Sequence, residues 1–170
     1  NLAYSNSDIA GIDTVIAMSP GAVGGTDTSI KLKKADLMDG LTVGVSWGDI
    51  NPAQVDGGST EITLSASYAV GGLTIGVTDT QIDQDAASSS DIDAMHVGAS
   101  FAVNDDVTVS VDRSTADNAQ KAIDEEATSY QISYSMGSMS IKAHLTKADN
   151  VGYSSTNTDE NKAVAVSFSF

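Results

Sequence analysis

The sequence predicts an all-β protein, an antiparallel transmembrane β-barrel of about eleven strands, and three observations carry that prediction. Bulky apolar residues alternate with small or weakly polar ones along nearly the whole chain, the period of a strand with two unlike faces. Turn-forming dipeptides at Asp39-Gly40, Gly71-Gly72, Asp105-Asp106 and Gly137-Ser138 recur at intervals of 32, 34 and 32 residues, so the repeating unit is a hairpin. The connections alternate between tight and long, which puts short turns at one end of the sheet and long loops at the other.

The elements follow in order. Tyr4 and the stretch from Ile12 to Met18 predict two strands around a Ser-Asn-Ser-Asp bend, with a short turn near residues 8–11 and a long connection near 19–28. Ile30 and Leu32 alternate with Lys31 and Lys33; past the turn near 36–40, Leu41, Val43, Val45 and Trp47 alternate with Thr42, Gly44 and Ser46. After a loop near 48–60, Ile62, Leu64, Ala66, Tyr68 and Val70 oppose Glu61, Thr63, Ser65 and Ser67. The turn near 70–73 leads to Leu73, Ile75 and Val77, and a loop near 79–93 to Met95, Val97, Ala99, Phe101 and Val103. The turn near 103–107 precedes Val107, Val109 and Val111, and the loop near 114–126 precedes Tyr130, Ile132, Tyr134 and Met136. A turn near 136–138 gives Met139, Ile141, Ala143 and Leu145, and a last loop near 147–161 gives the terminal strand, Val164, Val166, Phe168 and Phe170.

Composition narrows the classes. The chain has 170 residues, no cysteine and a net charge of −15 with only 8 Lys plus Arg, which excludes thiolate metal sites and argues against a nucleic-acid partner. No apolar run approaches the roughly 18 residues of a membrane helix, but a membrane strand needs only about 10 residues of alternating character. A soluble sandwich would carry Lys and Glu on its wetted strand faces and blunt its edges. Here the second face is Ser, Thr, Gly and Ala, and most charge lies in the loops. A barrel in lipid instead needs an apolar outside, a small or polar lumen, short turns on one side and long loops on the other. Rings also fall near strand ends: Tyr68, Phe101 and Phe170 toward the short turns, Trp47 and Tyr130 toward the long loops, as an aromatic girdle requires, with Tyr134 on the same outward parity.

Two stretches carry a family resemblance. The ending AVAVSFSF, with Val164, Val166, Phe168 and Phe170 on one parity, resembles the C-terminal assembly signal of bacterial outer-membrane barrels, and the whole pattern is similar to a Gram-negative general porin of the alphaproteobacterial type. Asn1 to Gly21, NLAYSNSDIAGIDTVIAMSPG, is similar to the segment that follows the constriction loop in such porins, although Asp8 and Ile12 depart from the usual Pro and aromatic residue. The resemblance implies a sixteen-stranded barrel, of which these eleven strands would be the C-terminal portion, without the constriction loop. It also implies a homotrimer, barrel-assembly machinery acting through the last strand, contact with outer-membrane lipid and lipopolysaccharide, and passage of small hydrophilic solutes. The rival reading of length is a complete barrel of ten or twelve strands.

Chemistry-bearing residues are sparse. Lys31, Lys33, His96, Asp112, Gln131, Lys142 and His144 take the lumen parity and are read as pore lining. Neither histidine has a partner at metal-ligand spacing, and an outer-membrane enzyme site is the minor alternative. Arg113 and Lys147 take the outward parity where strands run into loops, within reach of lipid phosphates. Asp83, Asp85, Asp91 and Asp93 could bind a loop calcium or another divalent cation, but match no EF-hand spacing, and a solvated acidic loop is the simpler reading. The expected function is passive diffusion through an outer-membrane channel without a cofactor or catalysis, the net charge favouring cations. A secreted structural or adhesive β-repeat protein is the competing class.

Overall fold

The computed structural model describes residues 2–20, 25–50, 57–86 and 90–169. They form one antiparallel sheet of eleven strands in sequence order: β1 (Leu2–Ile9), β2 (Ile12–Pro20), β3 (Thr26–Met38), β4 (Leu41–Ile50), β5 (Ser59–Val70), β6 (Leu73–Gln84), β7 (Ile92–Ala102), β8 (Val107–Asn118), β9 (Glu125–Met136), β10 (Met139–Asp149) and β11 (Thr158–Phe168). The sheet is open: β1 and β11 are its edges. Phe170, placed by sequence in both the girdle and the assembly signal, lies outside the described residues.

The turns show why the chain reverses where it does. Gly71 and Gly137 take φ of 56° and 57°, the positive value that the first position of a type II′ hairpin demands. Ala10 and Gly11 are both at positive φ, 57° and 74°, so the first hairpin turns on a pair rather than on one glycine. Between β7 and β8 the organising residue is Asn104, not the Asp105-Asp106 dipeptide. Its Oδ1 accepts from the backbone N–H of both Asp106 and Val107 at 2.9 Å.

Pairing runs further toward the long loops than the sequence boundaries, leaving connections at 21–25, 51–58, 85–91, 119–124 and 150–157. In the ladder between β5 and β6, Leu64 opposes Asp79, Thr63 opposes Thr80 and Ser59 opposes Gln84. The sequence reading ended each strand where apolar alternation ended, but backbone hydrogen bonds need no apolar side chain. The register also slips between Lys34 and Met38, where Asp36 stands at φ 49°, and between Asn6 and Ile9, so the expected Ser-Asn-Ser-Asp bend is a bulge within β1.

Neither face is covered. Among the described residues only Thr14, Gly58, Ala86 and Asn118 are buried, and large apolar side chains from Trp47 at 36% to Val164 at 72% stand exposed on the sheet. The surface is 11072 Å², whereas a compact soluble protein of 17.4 kDa would expose about 7,900 Å². A row of opposed residues that begins at Leu41, the first residue of β4, passes Tyr68, Ile75, Ala99, Val111, Tyr130 and Leu145 and ends at Lys162, inside β11. Strands staggered in this way are tilted, which is the geometry of a barrel wall.

Candidate pore wall

The sheet curls around its small-residue face. A cavity of about 750 Å³ extends from β3 to β8 and is bordered by Lys31, Lys33, His96 and Asp112. Its lining also includes Thr42, Gly44, Ser46, Ser65, Gly76, Gly98 and Ser110, with strand neighbours such as Val43 and Ala66 touching it. Small residues produce this recess. Gly76 directly opposes Gly98, and Gly44 opposes both Lys33 and Ser65, so the middle of the wall carries almost no side-chain volume. A Cβ at Gly98 would lie 3.1 Å from Oδ2 of Asp112, which shows the carboxylate reaching over that glycine.

Hydroxyl contacts line the same face. The Thr63 and Thr80 hydroxyls hydrogen-bond at 3.1 Å and Thr63 donates to Oε1 of Glu61 at 3.2 Å. Toward the other edge, the Ser129 and Thr146 hydroxyls meet at 2.9 Å, and Nε2 of His144 lies 2.8 Å from Oδ1 of Asn161. The cavity thus brings together Lys31, Lys33, His96 and Asp112 but not the other three residues assigned to the lumen. Gln131 and His144 border a separate recess of about 590 Å³ whose lining mixes both parities, including Tyr130, Leu145 and Val164. Lys142 opposes Ser133 and Ala165 in the ladder.

The opposite face carries the apolar rows. Trp47, Tyr68, Phe101, Tyr130 and Phe168 are all exposed on it, and the Tyr134 hydroxyl points at Sδ of Met136, 3.3 Å away. Above the apolar band, at the loop ends of β8 to β11, this face bears ion pairs. Arg113 meets Glu126 at 2.7 Å, Lys147 meets Asp149 at 3.0 Å, and Lys162 meets Glu160. The Lys162 pair escaped the sequence reading, which placed its loop through residue 161; the even numbering it shares with Val164 was the available signal.

The four loop aspartates do not converge: among the described residues no three metal-ligating side chains do. Oδ1 of Asp91 accepts from the Gln84 N–H at 2.9 Å, closing the connection between β6 and β7. Asn118 closes the next one, accepting from Ser90 Oγ at 2.7 Å and from the Gln120 N–H at 3.1 Å. Asn150 Nδ2 donates to the Asp124 carbonyl at 2.8 Å, and the Gly152 N–H donates to Oε2 of Glu125 at 2.9 Å, so neighbouring loops are stitched to each other.

A tilted single-layer sheet with an apolar convex face, a polar concave face and no core is the wall of a membrane β-barrel. Residues 2–170 match the family described as Gram-negative porin, and the chain belongs to that family. It is therefore a protein of the bacterial outer membrane. Among solved structures, the anion-selective porin from Comamonas acidovorans is similar with a TM-score of 0.77 at 12% identity, over 99% of this chain and 58% of that one. OmpT, an outer membrane protein of Vibrio cholerae, gives 0.73 at 13% identity, over 98% of this chain and 64% of that one. The NanC porin gives 0.59 at 13%, over 99% of this chain and 97% of that one. The chain thus spans about three fifths of the length of the first two. Among curated protein sequences none matches.

Proposed function

We propose that the protein forms a water-filled outer-membrane channel through which small hydrophilic solutes and ions diffuse passively. The observation that carries this reading is the cavity of about 750 Å³ on the polar, concave face, opposite a convex face of exposed apolar rows. In this reading Lys31, Lys33, His96 and Asp112 line the pore, with Gln131, Lys142 and His144 further along its wall. Trp47, Tyr68, Phe101, Tyr130, Tyr134 and Phe168 meet lipid. The short turns face the periplasm and the long loops face outward, where lipopolysaccharide surrounds them. The apolar row Val164, Val166 and Phe168 is what the barrel-assembly machinery reads, and the working unit is a homotrimer. Diffusion requires no covalent chemistry, and the protein acts without a catalytic group.

Planar-bilayer recording of the full-length protein tests the proposal. Stepwise current increments proportional to voltage are the expected result. Folded protein that inserts without conducting would overturn it.

A further inference from the structure

The cavity on the concave wall does not share the charge of the chain. The sequence holds 23 acidic residues, yet among the described residues Asp112 alone of them borders the cavity, against Lys31 and Lys33. The two lysines stand two residues apart on one face of β3, with backbone roots about 7 Å from each other. Neither belongs to an ion pair among the described residues, although Asp13 stands opposite Lys33 in the ladder. Their surroundings supply hydroxyls and space. Ser46 opposes Lys31, and Gly44, which has no side chain of its own, opposes Lys33. On that strand the Ser65 hydroxyl leans over Gly44 toward its carbonyl, at 3.4 Å.

We propose that Lys31 and Lys33, with the hydroxyls of Ser46 and Ser65, form an oxyanion-binding step on the pore wall. Two ammonium groups and two hydroxyls bordering one cavity offer several donors and charge to a small tetrahedral anion, and lysine acts toward such an anion as a movable point charge. Small solutes bearing phosphate or sulfate dwell there even though the protein as a whole has a net charge of −15. The inference rests on the channel reading and names a solute class for it. Asp112 apart, none of the described acidic residues borders this cavity, so whole-chain charge misleads about this stretch of the wall.

The test uses the full-length protein with inorganic phosphate as the probe. Chloride currents are recorded while phosphate is added, and retention of radiolabelled phosphate by the detergent-solubilised protein is measured by equilibrium dialysis. Saturable block and retention are expected, both weakened about fivefold when Lys31→Gln and Lys33→Gln are combined. The pair Lys31→Arg and Lys33→Arg keeps charge and retains both signals, and Lys147→Gln, on the outward face, leaves them unchanged. A conducting channel that phosphate does not block, or block and retention equal in the double glutamine variant, overturns the oxyanion step and leaves diffusion standing. Absence of current from every variant would remove the diffusion reading and this inference with it.

Discussion

Val166 and its neighbour Ala165 are chemically close, but they face different media. Val166 opposes Ile141 on the apolar face, and Ala165 opposes Lys142 on the polar one. Arginine at position 166 therefore has to be desolvated in lipid and is expected to cost about 2–4 kcal/mol, whereas Ala165→Arg enters water and costs less than about 1 kcal/mol. Urea unfolding from phospholipid vesicles measures both, and equal costs would contradict the assignment of faces. Glycines give a second contrast at this scale. A Cβ at Gly40, where φ is 76°, would run into the Ala69 carbonyl, while Gly137, at φ 57°, has open space around its missing Cβ. Gly40→Ala is expected to destabilise by about 2–3 kcal/mol and Gly137→Ala by about 1 kcal/mol in the same assay. The sequence could show that both positions are turns. It could not show which glycine another hairpin packs against, because Ala69 lies 29 residues away from Gly40 and meets it only once β4 and β5 pair.

At the scale of the element, what was legible was parity. Every strand with clean alternation, from β4 to β11, has the two faces its sequence announces, since a slip of one residue would exchange all of them at once. Irregularities within strands were not legible. The bulge from Lys34 to Met38 starts at a lysine that reaches back to the preceding hairpin, donating to the Gly11 carbonyl at 2.8 Å, and no local pattern encodes that contact. Strand ends were likewise missed, because the polar extensions of β6 and β8 are held by backbone pairing and polar side-chain contacts rather than by apolar alternation. Of the wall residues, the cavity gathers four that parity had marked, but the glycine pairing that makes room for them emerges only from the register. The ion pairs at the ends of β8 to β11 are weak features despite their short distances. Arg113 and Glu126 remain 58% and 43% exposed, so solvent screens them. Glu126→Gln should change unfolding free energy by no more than about 1 kcal/mol, a bound that a larger measured loss would break.

In the whole molecule two solvents, lipid and water, replace a hydrophobic core. A sheet in which only four of the described residues are buried has no interior to hold it together in water. Its stability comes from backbone pairing in a medium that offers no competing hydrogen bonds, and from apolar rows that lipid covers. Removal of detergent is therefore expected to aggregate the protein, and a chain that stays monodisperse without it would require some other cover for the apolar face. The most direct measurement is a nitroxide scan of β10 and β11 in lipid vesicles. Labels at Ile141, Ala143, Val164 and Val166 should be accessible to oxygen dissolved in the bilayer, and labels at Lys142, His144, Ala163 and Ala165 to a water-soluble nickel chelate. Accessibility of the reverse phase, or without alternation, would contradict the reading of this sheet as a pore wall.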